Sequence, residues 1–192
     1  MTPNMVRIGS ITYTSAPTSL CNVTADEFEE SGRNTTILSI TDLDRIGIQK
    51  LPLVFALHSY NQYADTFTFW EALAQIFNFV LVRPEGVMSS WNAKYCCGRA
   101  RDFNINDEGF FEQMITNLTT RHSFLDKDLA YALGWSNGGF MVSRIAHFFQ
   151  AIAPISGYQY STDEYPTLAG NRSISLFQHH GMADNRVNDQ GC

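Results

Sequence analysis

Five residues, Gly134-Trp135-Ser136-Asn137-Gly138, place a serine between two glycines, directly after an apolar run ending at Leu133 and directly before a helical pattern. A serine on a sharp strand-to-helix turn exposes its hydroxyl at the tip, and glycine fits on either side because neighbouring backbone comes close. The helix that follows aims its N-terminus at the same point and stabilises negative charge there. This is the arrangement needed by a serine that attacks a carbonyl carbon. Ser136 is the candidate nucleophile, and the backbone N–H of Asn137 is the first candidate oxyanion donor.

Two further clusters fit the same chemistry. Gln178-His179-His180-Gly181-Met182-Ala183-Asp184 follows the apolar segment Ser173–Phe177. Asp184 lies 48 residues after Ser136 (184 − 136), where an acid that orients an imidazole is expected. Asp163, Glu164 and Asp189 are less well placed rivals. Leu57-His58-Ser59-Tyr60-Asn61-Gln62 follows another apolar run, and Tyr60 is the candidate second oxyanion donor. His58 reads as a structural histidine that ties this loop down. A serine nucleophile also needs a general base, and in this chain order the histidine follows the acid. The five histidines, His58, His122, His147, His179 and His180, all precede Asp184. The base is therefore expected outside these 192 residues, in a last strand and helix that the chain lacks. Trp91 and Trp135, with Tyr60 and Tyr158, are candidates to line an apolar substrate cleft.

Elements that could position these groups alternate along the chain. Apolar or alternating runs predict strands at Thr35–Ile40, Leu51–Leu57, Phe79–Val82, Asp128–Leu133, Ala151–Ile155 and Ser173–Phe177. Helical spacing predicts helices over Thr66–Gln75, from Asn106 or Asp107 to about Asn117, and over Gly139–Phe149. Such alternation implies a mainly parallel sheet with helices on both faces, and chemistry at the carboxyl ends of the strands. Residues 1–34 are polar and turn-rich and read as a loosely held lead-in, with one α/β domain over 35–192.

Composition narrows the partners. The chain has 192 residues and a net charge of −6, with 44% hydrophobic residues. It is long enough to bury roughly 70% of its unfolded surface. Its charge and lack of a Lys/Arg-dense stretch argue against general nucleic-acid or anionic-membrane binding. No apolar run reaches the roughly 20 residues that span a bilayer. Neither G-x-G-x-x-G nor a P-loop is present, which disfavours a nucleotide-binding domain. Nothing in the sequence calls for a metal or an organic cofactor. Four Asn-X-Ser/Thr sequons, at Asn22, Asn34, Asn117 and Asn171, suggest a secreted glycoprotein, although no signal peptide is visible. The cysteines are Cys21, Cys96, Cys97 and Cys192. Adjacent cysteines bridge each other only with strained geometry. Cys96 and Cys97 are thus expected either as free thiols or each bonded to Cys21 or Cys192, in either order.

The same residues resemble a known family. From about Leu51 onward the chain is similar to the polyhydroxybutyrate depolymerase, feruloyl esterase and acetylxylan esterase family. Its PLV-aLHG-x-x-Q signature appears as Pro52 to Gln62, with Ser59 where the family has Gly. Its FVVVYPEG segment appears as Phe79 to Gly86, followed by Ser90-Trp91-Asn92 and Cys96-Cys97-Gly98. DDVGF appears as Asn106 to Phe110, G-x-SNGG as Gly134 to Gly139, AIAPxSG as Ala151 to Gly157, and HG-x-xD as His180 to Asp184. The resemblance implies a secreted α/β-hydrolase that cleaves carboxylic esters, polymeric or derived from plant cell walls. It implies Ser136 as nucleophile, Asp184 as acid and Tyr60 as oxyanion donor. The alternative is a non-catalytic relative that holds ester-bearing polymer or polysaccharide without cutting it.

Overall fold

A computed structural model describes residues 5–11, 33, 35–40, 50–67, 69–158 and 173–187. Cys21, Cys192, the sequons at Asn22, Asn34 and Asn171, and the rival carboxylates Asp163, Glu164 and Asp189 lie outside those residues.

The strands are β1 (Met5–Ile11), β2 (Thr35–Ile40), β3 (Leu51–Leu57), β4 (Val80–Pro84), β5 (Leu125–Trp135), β6 (Ala151–Ile155) and β7 (Ser175–Leu176). They form one sheet in the order β1-β2-β4-β3-β5-β6-β7. The stretch from β4 to β7 is parallel, and β1 and β2 add an antiparallel edge. Among the described residues the helices are α1 (Trp70–Phe77), the short α2 (Arg99–Asp102), α3 (Asp107–Arg121) and α4 (Asn137–Arg144).

Strand β3 shows why the sheet is central. Leu51, Leu53, Phe55, Ala56 and Leu57 are all fully buried. Leu53, Phe55 and Leu57 belong to the larger core, with Phe110, Phe111 and Met114 of α3 and Phe140 and Met141 of α4. Ala56 faces the smaller core with Leu81, Leu133 and Ala74, against which Trp70 and Leu73 of α1 pack. Alternate side chains thus serve opposite faces. The expected mainly parallel sheet with helices on both faces is what forms.

Several bounds differ from those the sequence predicts. Met5–Ile11, inside the expected lead-in, pairs with β2 as the edge strand. The helix expected to run through Phe149 ends at Arg144, and a short 3-10 turn over Ala146–Phe148 follows. Strand β7 is only two residues long. Asn106, not Asp107, caps α3: its side-chain oxygen accepts from Gly109 N–H at 3.0 Å.

Asp107 turns inward instead. It is fully buried and pairs with the buried Arg33 at 2.6 Å. Its second oxygen accepts the N–H of Asn92 at 2.5 Å. Burial pushes the Asp107 carboxyl up, opposed by the Arg33 guanidinium and the Asn92 N–H. The Arg33 guanidinium also sits over the Phe110 ring, 4.1 Å from its centroid. Removing one partner of such a pair strands a buried charge. Arg33→Ala is expected to destabilise the chain by about 3–5 kcal/mol in urea denaturation. The double change Arg33→Met with Asp107→Leu should cost less than the single change.

Candidate active site

The parallel strands deliver their carboxyl ends to one edge of the sheet. Register places Leu57 beside Gly134 and Trp135 beside Ile155, and an isolated bridge continues from Ile155 to His179. Ser59 and Tyr60 therefore follow β3, Ser136 follows β5, and the His180–Asp184 segment follows β7, all at the same edge.

Ser136 stands at the turn from β5 to α4 with φ 53° and ψ −115°. Positive φ is costly for a residue with a side chain and persists only where the surroundings hold it. Here the Ser136 N–H donates to Ile155 O at 2.8 Å, and its carbonyl accepts the Phe140 N–H at 2.9 Å. Two residues on, Gly138 lies directly against the carbonyl oxygens of Leu57 and His58, where a Cβ would collide. That close approach brings the start of α4 up to the loop carrying Tyr60. The hydroxyl faces a cleft of about 370 Å³ lined by Ser59, Tyr60, Tyr95, Cys96, Cys97, Ser136, Arg186 and Val187.

Asn137 has a second role that its place in the motif does not announce. Its side chain is buried and acts as a clamp. Oδ1 accepts the Trp91 N–H at 2.8 Å, and Nδ2 donates to Trp91 O at 3.0 Å and to Cys96 O at 3.3 Å. The residue whose backbone N–H is the first candidate oxyanion donor thereby holds the opposite wall of the cleft in register. Ser90 secures the same wall from the other side: its hydroxyl accepts the Ala100 N–H at 3.0 Å and donates to Val87 O.

Trp91 is a correction. Expected to touch substrate, it is fully buried. Its ring packs against His58 at 4.9 Å and Phe111 at 5.4 Å between centroids, and its Nε1–H donates to His58 O at 3.0 Å. It supports the Tyr60 loop from beneath. Trp135 is half exposed next to Ser136 and is absent from the cleft lining. Tyr60 itself is half exposed in the cleft, with its ring against Gly98, whose φ of 81° and missing Cβ admit it.

The cysteine expectation is also corrected. Cys96 and Cys97 are bonded to each other, with Cα atoms 3.1 Å apart. The tight turn closed by Ala93 N–H donating to Cys96 O holds the pair against the cleft. The vicinal link, disfavoured on general geometric grounds, forms part of the cleft wall.

His58 is structural, as its place in the sequence implies. Its Nδ1–H donates to Ser59 O at 2.8 Å, and its Nε2 accepts the Gly86 N–H at 2.8 Å. Both contacts require the neutral ring with the proton on Nδ1. Burial holds the ring well below its usual value, at about 4. The nearby Glu85 carboxyl is pushed up by its own burial and accepts the Ala64 N–H at 2.8 Å.

Asp184 ends a turn in which its Oδ1 accepts the N–H groups of Val187 at 3.0 Å and Arg186 at 2.9 Å. These two bonds hold its carboxyl below the ordinary value, aided by His180 and the Ser156 hydroxyl. The His180 ring lies 3.8 Å from Asp184 Oδ2, but its Nε2–H donates to Val187 O at 2.7 Å. Among the described residues no side chain hydrogen-bonds the Ser136 hydroxyl.

Comparison with known proteins agrees with the fold. No family model matches the chain. A bifunctional acetylxylan esterase/xylanase of Neocallimastix patriciarum is 29% identical over 148 residues, 72% of this chain. The chain spans about a fifth of that relative's length. Among solved structures, an acetyl xylan esterase from Aspergillus awamori superposes with a TM-score of 0.63 at 16% identity, covering 84% of this chain and 71% of that one. The S-formylglutathione hydrolase of Staphylococcus aureus gives the same TM-score and identity, covering 94% of this chain and 78% of that one. The fold is of the α/β-hydrolase type shared by these esterases.

His58 makes stability depend on pH in one direction. Its folded value of about 4 lies below the ordinary 6.5, so the unfolded chain takes up the proton first. The stability contributed by neutral His58 is complete above pH 6.5 and is lost as pH falls toward 4. Between neutral pH and pH 4, the wild-type chain is expected to lose about 3 kcal/mol more than His58→Gln. Urea titrations of both chains at the two pH values measure the difference.

Proposed function

We propose that this chain belongs to a carboxylic ester hydrolase that works through an acyl-enzyme on Ser136. The observation that carries the reading is the conformation of Ser136, at φ 53° between β5 and α4 and open to the cleft. In the first step the Ser136 oxygen bonds to the ester carbonyl carbon while its proton passes to a general base. The carbonyl oxygen takes the negative charge and receives hydrogen bonds from the N–H groups of Asn137 and Tyr60. The bond to the alcohol oxygen then breaks, and the alcohol leaves with the base's proton. Water, deprotonated by the same base, attacks the acyl carbon and releases the acid and free Ser136.

Asp184 is assigned the orienting role. Its Oδ1 is occupied by two backbone N–H groups, which fix the carboxylate and keep it ionised. The imidazole it would orient does not hydrogen-bond it among the described residues. His180 is committed to Val187 O instead.

Substrates from the plant cell wall, acetylated or feruloylated polysaccharide, fit this reading. The name of the Neocallimastix relative and that of the Aspergillus structure support the acetylated class. The polyhydroxybutyrate side of the sequence resemblance draws no such support from these names. Secretion is part of the same proposal and rests on the sequons; Asn117, the one within the described residues, lies in α3.

The test supplies the base from solution. With free imidazole present, the 192-residue chain is expected to hydrolyse 4-nitrophenyl acetate faster than its Ser136→Ala variant in the same buffer. Circular dichroism establishes that both are folded. Equal rates from two folded chains would overturn the nucleophile assignment and favour a cleft that binds esters without cleaving them.

A further inference from the structure

Arg186 is the one charged side chain among those lining the cleft that holds Ser136. Its backbone N–H is spent on Asp184 Oδ1 at 2.9 Å, but its guanidinium forms no ion pair or hydrogen bond among the described residues. Four other arginines find a carboxylate, whereas Arg99, which does not line the cleft, has none among the described residues either. Arg83 meets Glu71 at 2.8 Å, Arg101 meets Asp102 at 2.7 Å, Arg33 meets Asp107, and Arg144 faces Glu108 at 3.6 Å. In a chain of net charge −6 a carboxylate partner is easy to find, and among the described residues Arg186 stands without one at the mouth of the candidate site. The walls beside it are weakly polar: Val187 is buried, and Tyr60, Tyr95 and the Cys96–Cys97 disulfide line the cleft together with the hydroxyls of Ser59 and Ser136. A guanidinium against such walls attracts an anion more strongly than one in open water.

We infer that Arg186 selects esters that carry a carboxylate near the scissile bond, on the acyl or on the alcohol side, by pairing with that carboxylate in the cleft. The planar fork of donors suits a carboxylate bidentately. The inference rests on the ester-binding reading of the cleft and names the substrate class it would prefer. Asp184, two residues away, forms no ion pair with the guanidinium among the described residues.

Non-hydrolysable amides test this without requiring turnover. N-phenylsuccinamate against N-phenylbutanamide probes a carboxylate on the acyl side. 4-Acetamidobenzoate against acetanilide probes one on the alcohol side. Affinities are measured by calorimetry on the 192-residue chain, on Arg186→Gln and on Arg186→Lys. In at least one pair the chain is expected to favour the anion, and Arg186→Gln to lower that preference about tenfold. Arg186→Lys should keep part of it, and added salt should weaken it in the wild type. An anion preference that is absent, or unchanged in Arg186→Gln for both pairs, overturns the role of Arg186 while leaving the ester cleft standing. Failure of all four amides to bind would overturn the cleft reading and this inference together.

Discussion

Everything at the candidate site depends on the backbone contact between the start of α4 and the end of β3. Gly138 rests on the carbonyl oxygens of Leu57 and His58 with no room for a side chain. That contact forces the chain to reverse within one residue at Ser136. It also bears on the spacing between the Asn137 and Tyr60 N–H groups, the two candidate oxyanion donors. A shift of the strand relative to the helix would move the serine and one donor together, but away from the other.

Buried polar groups hold that contact in place. His58 ties the Tyr60 loop to Gly86, and Asn137 ties the opposite loop to the helix. Asp107 reaches the same loop through Asn92. Each would be costly to bury without its partners, and each has them. The Ser90-Trp91-Asn92 stretch is the common target: Ser90 receives Ala100 N–H, Trp91 pairs with Asn137, and Asn92 pairs with Asp107. In the sequence Trp91 is a candidate to line the cleft; with Ser90 and Asn92 it proves to be the support beneath it.

Much of this arrangement is legible in the order of the amino acids. Strands β3 and β6 lie where their apolar runs put them, because a strand buried on both faces leaves a continuous signal. The Gly134–Gly138 pattern is local, so its turn can be read from five residues. What the order of residues hides depends on partners far away in the chain. A tryptophan beside a motif looks the same whether it lines a cleft or fills a core, and the burial of Trp91 is decided by Phe111 and His58. Arg33 sits in a polar stretch and arginine is seldom buried unless paired, so nothing nearby announces Asp107. The bond between Cys96 and Cys97 follows from the tight turn around them, which composition does not reveal.

The clamp formed by Asn137 also bears on the order in which the molecule assembles. It joins residues 46 positions apart in the chain, and Arg33 and Asp107 are 74 apart (107 − 33). Closing long loops costs entropy before any contact rewards it, and folds rich in such contacts form slowly. During synthesis, β3, β4 and α3 emerge before Ser136 does. The wall around Trp91 must therefore wait, with its backbone groups at 91 and 96 unsatisfied by Asn137, until β5 and α4 have been made. The Ser136 turn and the cleft wall that Asn137 clamps come into being in the same late event, so a chain that has not finished folding carries no half-built candidate site.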